Sequence, residues 1–230
     1  MIGAYGYLVT NPYLGRFGGF LAGVLIAAAA SYLVYVGVVR YIQENVVITF
    51  MTTLMIALAI QEAATMAFSQ QARILPSILP GTIEFAGTRL QYDQILAFVL
   101  SWLLIGLLWY FVTRTKNGRA ILATSMSERG AIFTGVDIAK VRRQTWLIAG
   151  AFAGIGGVFI GGLQQTSPQM WLEPLSIAFI VVIIGGVGSI KGSIIAAYLI
   201  GYLETVTVEV IGAPYRVVVA LLVVMAVILY

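Results

Sequence analysis

Apolar runs about 20 residues long recur along this chain, and that single feature leaves few folds open. A helix of that length crosses a hydrocarbon core about 30 Å thick. The runs are Phe17 to Val39, Val46 to Ser69, Gln94 to Val112, Thr145 to Leu163, Ser193 to Ile211 and Pro214 to Tyr230, with a shorter one, Leu175 to Gly186. Barrel strands are near 10 residues and alternate in polarity; these runs do not alternate. The expectation is an all-α, polytopic transmembrane bundle of about seven hydrophobic segments. Mean hydropathy of +0.99, with 60% hydrophobic and 10% charged residues, excludes an ordinary soluble domain. No polar block is long enough to fold alone, so residues 1–230 read as one transmembrane domain.

The stretch Thr113 to Gln144 breaks the pattern. It holds Arg114, Lys116, Arg119, Arg129, Lys140, Arg142 and Arg143, seven of the 13 Lys and Arg, against two acids, Glu128 and Asp137. Lys and Arg concentrate in cytoplasmic loops near span ends, so residues 113–143 are expected in the cytoplasm of a multi-pass cell-membrane protein. Segments 69–93 and 164–174 then lie outside, and 40–47 and 187–192 inside, in keeping with Arg40 and Lys191. The net charge of +4 is topology rather than a nucleic-acid footprint. The chain has neither Cys nor His, so disulfides are excluded and the usual nitrogen ligand of a metal site is missing.

Two further segments have their own character. The first residues, MIGAYGYLVTNP, are hydrophobic but too short to span, and they lack the charged start and cleavage site of a signal peptide. In the external segment, Pro76, Pro80, Gly81 and Gly87 break any long helix, and TIEFAGTRL reads as a small hairpin or irregular cap.

Ten of the 25 glycines lie between Gly150 and Gly192. In the fourth run Ala149, Ala153, Gly157 and Gly161 recur every four residues, a stripe along which a neighbouring backbone can come close, widened by Gly150 and Gly154. Gly185, Gly186, Gly188 and Gly192, with Ser189 among them, are expected to break the helix at 185–189, a new one starting after Lys191; a broken membrane helix and a tight turn both fit. Polar groups inside apolar runs are Gln61, Glu62 and Glu204, with Glu209 nearer an interface. A carboxylate at such depth faces the bundle interior and has a partner. A structural bond and a transport pathway are both open roles.

The stretch GRAILATSMSERGAIFTGVDIAKVRR, then a glycine-rich run, IIGGVGSIKG and GYLE, resembles the branched-chain amino-acid (Liv-type) permeases of ABC importers. That family has a loop of the form G-[RK]-A-x-R-A-x-A-x-D-x-x-x-A-x-x-x-G-[IV], matched here by Gly118, Arg119, Ala120, Ala123, Ala131, Gly135 and Val136. Its GGxGSxxG is matched by Gly185, Gly186, Gly188, Ser189 and Gly192, and Gln61 and Gln94 fall where members often carry glutamine. Departures are Leu122 for the usual arginine, Ser125 for alanine and Ser127 for aspartate. Against the family the chain looks short at both ends, as a fragment, a misassigned start or a reduced variant would.

The resemblance implies a role for the loop. Ser127 caps a short helix from Glu128 to Thr134, and Gly135 ends it. In the family this element couples the permease to its ATPase, which assigns Ser127, Glu128, Arg129, Ala131, Ile132, Phe133 and Gly135 to that contact. The implied protein is the membrane subunit of an ATP-driven importer of branched-chain or related amino acids, working by alternating access. Its implied partners are two ATP-binding subunits, a second permease subunit, an external solute-binding protein and membrane lipid, with no nucleic acid. The chain has no G-x-x-x-x-G-K-[ST] phosphate loop, so it is expected to bind no cofactor itself, ATP being handled in the partner, and to be no enzyme. The rivals are an ion-coupled secondary transporter built on Glu62 or Glu204, and a membrane scaffold.

Overall fold

The computed structural model describes every residue except 44, 86–87, 213–214 and 230. Its elements run α1 (Ile2–Val34), a π-helical turn (Tyr35–Val39), α2 (Arg40–Ile42), α3 (Val46–Phe68), β1 (Thr82–Phe85), β2 (Thr88–Gln91), α4 (Tyr92–Arg114), α5 (Lys116–Met126), α6 (Glu128–Phe133), α7 (Ile138–Gln164), α8 (Leu172–Gly185), α9 (Ile190–Val210) and α10 (Arg216–Leu229). This is the expected helical membrane bundle. Five stretches are long and apolar enough to cross a membrane: Ile2–Ile42, Val46–Phe68, Tyr92–Arg114, Ile138–Gln164 and Ile190–Val210; α8 is a shorter apolar helix. The expected ends of the last segment, Pro214 and Tyr230, lie outside the described residues, as does Gly87.

Residues Met1–Met170 form one compact unit and Trp171–Tyr230 a second. The first is organised around a reversal at Gly15, where φ of +70° and ψ of −178° interrupt α1. Only glycine takes that conformation cheaply. Residues 2–14 thereby fold back along 16–34, and α7 closes the other side. A Cβ on Gly3 would stand 2.6 Å from the Gly154 carbonyl oxygen, and one on Gly23 2.6 Å from that of Gly3. Lipid offers apolar surface no hydrophobic incentive to associate, so close packing of small residues drives such contacts. The N-terminal arm is packed into this unit: Gly3 to Tyr7 are all buried. Tyr7 donates from its hydroxyl to the Pro76 carbonyl at 3.0 Å, and Thr10 donates to the carbonyls of Gly6 and Gly19 at 2.7 and 3.2 Å. Ala4, Tyr7, Leu75, Ile78, Val158 and Phe159 form the core there.

On α7 the packed glycines are Gly150, Gly154, Gly157 and Gly161, all buried. The strict four-residue stripe is corrected in register: Ala149 and Ala153 are exposed. A helix has 3.6 residues per turn, so a straight contact line follows spacings of four, three and four rather than four throughout. α7 also starts at Ile138, seven residues ahead of the apolar run, because the Asp137 side chain accepts from the Lys140 amide and caps it there.

The TIEFAGTRL segment is a hairpin, β1 pairing antiparallel with β2, Thr82 opposite Gln91 and Glu84 opposite Arg89. Its base is fixed by Asp93, whose carboxylate accepts from the amides of Ile78 and Leu79 at 3.3 and 2.8 Å. Gln94 closes a capping box with Gln91 at the start of α4. Arg73 and Thr166 exchange backbone hydrogen bonds of 2.9 and 2.8 Å, tying this segment to the end of α7.

In the second unit α8 ends at Gly185, and Gly186 and Gly188 take φ of +84° and +86°. The Ser189 hydroxyl accepts from the Gly192 amide at 3.1 Å and caps α9. The new helix therefore begins at Ile190, one residue before Lys191 rather than after it. Gly185 and Gly192 face each other with no room for a side chain: a Cβ on Gly185 would meet the Ser193 nitrogen at 2.5 Å. The glycine motif builds a tight helical hairpin whose two helices share a core of Ile180 and Ile200 with Ala220 of α10.

Candidate functional site

The basic loop folds as a frame around one short helix. The Thr115 hydroxyl accepts from the Gly118 amide at 3.0 Å and starts α5. Gly118 sits against the last turn of α4, where a Cβ would meet Val112 Cα at 2.5 Å. This close approach turns the chain away from the span axis. After α5, Ser127 takes an extended conformation and accepts from the Gly130 amide at 3.1 Å, as an N-cap does. α6 closes on Gly135, at φ +78°. The Val136 amide donates to the Ala131 carbonyl and the Gly135 amide to that of Ile132, at 3.1 and 2.9 Å. These two bonds are a Schellman closure, in which glycine takes the left-handed position.

Ala131 faces inward, only 3% exposed, and Glu128 pairs with Arg142 of α7 at 2.5 Å. Two large apolar side chains of α6 point outward: Ile132 is 56% exposed and Phe133 90%. Arg129 stands exposed beside them. The structure thus brings Ser127, Glu128, Arg129, Ala131, Ile132, Phe133 and Gly135 together as one rigid knob. The ion pair to Arg142 was not anticipated; the pair lies 14 residues apart, across Gly135.

The polar residues within the apolar runs divide. Gln61 is buried on α3, whereas Glu62 beside it is exposed on the surface of this chain, against the expectation of an inward-facing carboxylate. Successive residues on a helix point about 100° apart, so the two cannot share a face. Glu204 was expected to have a partner on a neighbouring helix, through a hydrogen bond or a salt bridge. Its neighbour is Arg216, with Nε 4.0 Å from Oε2, while Oε1 is buried and has no hydrogen-bond partner among the described residues. Arg216 also pairs with Glu173, so one guanidinium joins α8, α9 and α10. Glu204, Thr205, Val208, Glu209 and Arg216 line an open cavity of about 210 Å³. An arginine at the start of the last apolar run, facing two acids on earlier runs, was the available signal for this triad. Among the described residues no group of three His, Cys, Asp or Glu is placed to hold a metal ion.

Comparison with known proteins adds to this geometry. The family described as branched-chain amino acid transport system / permease component matches residues 1–229. The chain belongs to this family. It is 25% identical over 237 residues to the high-affinity branched-chain amino acid transport system permease protein BraD of Pseudomonas aeruginosa, covering 96% of this chain and 77% of that one. It is 33% identical over 108 residues to the probable branched-chain amino acid transport permease protein LivH of Methanocaldococcus jannaschii, covering 47% and 34%. It is 29% identical over 116 residues to the autoinducer 2 import system permease protein LsrD of Photorhabdus temperata, covering 47% and 34%. No solved structure matches. The permease is a multi-pass membrane protein of the ABC-importer class.

Proposed function

We propose that this permease is the membrane-spanning subunit of an ATP-driven importer that moves branched-chain or related amino acids by alternating access. The carrying observation is α6: a helix capped at Ser127, closed at Gly135, pinned through Glu128 to Arg142 and presenting Phe133 at 90% exposure. A rigid knob framed at both ends transmits displacement to the spans that a flexible connector would absorb. The names of two relatives, both branched-chain amino acid transport permeases, support the amino-acid substrate. In this reading two ATP-binding subunits bind at residues 113–143 on the cytoplasmic side. A second permease subunit completes the pathway, and a solute-binding protein delivers substrate outside. The chain itself contributes no phosphate-binding loop and performs no covalent chemistry.

The experiment replaces Glu128 to Phe133 with a Gly/Ser linker and measures leucine uptake into proteoliposomes holding the whole complex. The expected result is normal membrane insertion with uptake and ATPase association lost. Uptake at the parent rate would remove the coupling role. One observation favours a second reading, ion-coupled transport: the unpartnered Oε1 of Glu204 beside a polar cavity. In that case uptake in the parent follows an imposed ion gradient without ATP, and Glu204→Gln abolishes it.

A further inference from the structure

Of the cations in the basic loop, Arg142 has its own carboxylate in Glu128. Lys140 and Arg143, on either side of it, have none: among the described residues neither forms an ion pair. Arg143 does no more than donate from Nε to its own helix, to the Ala139 carbonyl at 3.4 Å. With Gln144 and Leu147 these two fall at spacings of three, four and seven, one continuous face of α7. Tyr32 of α1 supplies the opposite wall, and the five residues line an open groove of about 320 Å³. No acid lines it. Next to it the chain is held to α7: the Ser31 hydroxyl donates to the Trp146 carbonyl at 2.8 Å, and the rings of Tyr35 and Trp146 stand 6.0 Å apart.

The groove has a polar end and an apolar end. Lys140 and Arg143 lie before the apolar run of α7; from Thr145 to Leu172 the chain has no charged residue. Leu147 lies about 10 Å further along the helix than Lys140, at 1.5 Å per residue. The cations therefore stand at the membrane boundary, and the groove descends from them into the hydrocarbon layer. A soluble acidic partner matches only the upper half of this arrangement. An anionic lipid matches both halves: its phosphate meets the Lys140 ammonium, the Arg143 guanidinium and the Gln144 amide, and its acyl chain runs along Leu147 and the Tyr32 ring. Basic pockets between helices at a membrane face recognise acidic head groups in this way.

We propose that the Tyr32–Lys140–Arg143–Gln144–Leu147 groove is a binding site for an anionic glycerophospholipid, held by its phosphate at the α1–α7 boundary. The site stands independently of the transport reading, since it needs only the membrane. Occupied, it bridges the end of α1 to the root of α7, from which the α6 knob is held through Arg142.

The test counts lipid adducts on the purified complex by native mass spectrometry, titrating phosphatidylglycerol and phosphatidylcholine separately. The parent is expected to prefer phosphatidylglycerol. Lys140→Gln/Arg143→Gln should reduce that preference on the order of 30-fold, from about 1 kcal/mol of surface attraction for each of the two cations. Lys140→Arg/Arg143→Lys, which keeps both charges, should retain it. Arg114→Gln/Lys116→Gln, removing two boundary charges outside the groove, should also retain it. Equal adducts of both lipids on the parent would overturn the proposal without any variant being needed. So would an equal loss in the Arg114/Lys116 control. Displacement of phosphatidylglycerol by millimolar inorganic phosphate would make this a free-anion site. Unchanged lipid adducts with lost ATPase association would make it a protein contact.

Discussion

α3 and α7 have the same mean hydropathy over their best windows, 1.8, yet 28% of the α7 window is buried within the chain and none of the α3 window. The apolar content that sends both into a membrane does not decide which helix finds a neighbour. In lipid, a leucine face gains little by turning from acyl chains to another leucine face. α7 carries Gly150, Gly154, Gly157 and Gly161 on one side, and two arms of α1 lie against them. α3 has no glycine and presents Val46, Met51, Met55, Leu58 and Met66 outward. Hydropathy selects the solvent; small residues select the partner.

The largest expected effect breaks this contrast at its strongest point. Gly154→Leu drives a branched side chain into Ala27, whose Cβ already stands 2.8 Å from where the first added carbon would go. The seam has no slack, so the cost should reach at least about 3 kcal/mol, with little folded protein recovered from detergent. Ala59→Leu on the exposed side of α3 should leave the thermal midpoint of the purified subunit unchanged. Equal damage at both positions would mean that small residues do not set the packing.

Next is the charged corner of the second unit, where helices are joined by an ion pair rather than by glycine. Arg216→Leu leaves Glu173 and Glu204 without their shared cation. Glu204, the largely buried member, is then left without a cation, which costs about 2 kcal/mol. Glu204→Gln removes a charge and leaves Arg216 with Glu173, so it should cost only about 1 kcal/mol. Thermal unfolding of the two variants gives the order; a reversed order would sink the triad as a structural element.

A third test separates the two uses of glycine. Gly37, in the π-helical turn, has open space around it and no left-handed φ, so Gly37→Ala should be neutral or slightly stabilising. Gly188 is equally uncrowded, but its φ is +86°. Gly188→Ala should therefore destabilise by about 1–2 kcal/mol through backbone strain alone. Denaturant midpoints moving in the same direction would contradict this.

Much of the architecture was legible in the sequence because bilayer thickness imposes it: α3 runs Val46–Phe68 against an expected Val46 to Ser69, and α9 Ile190–Val210 against Ser193 to Ile211. The α6 frame was legible as well, since its cap and its terminating glycine are local signals. The N-terminal arm was not. Its neighbours at Gly154 and Pro76 lie far along the chain, and a short, mostly apolar arm carries no mark of which helices it will lie between. Half of the glycine stripe was in register: Gly157 and Gly161 pack as expected, but Ala149 and Ala153 give way to Gly150 and Gly154, because a four-residue period drifts from the helix. An interhelical bond for Glu204 was expected, but its partner was not named, because Arg216 reaches it from another helix.

The smallest expected effect lies at Ser127, in a region where neither glycine seam nor ion-pair corner does the holding. α6 is six residues long, too short for its own hydrogen bonds to sustain it in water. Its start depends on the Ser127 hydroxyl, which accepts from the Gly130 amide. Ser127→Ala removes that acceptor and should cost about 0.5–1 kcal/mol. The loss should be local: amide exchange should quicken at Gly130 and Ala131 while the midpoint of the spans stays put. Ser127→Asp restores an acceptor and places a negative charge at the positive end of the helix. It should recover the protection, even though Glu128 is adjacent, because Glu128 is already paired with Arg142. If Asp protected no better than Ala, the cap would be incidental and α6 would be held by Arg142 and Gly135 alone. If Ala lowered the midpoint of the whole protein, the loop would be part of the packed core rather than a knob standing on it, and the contrast between packed seam and exposed frame would fail.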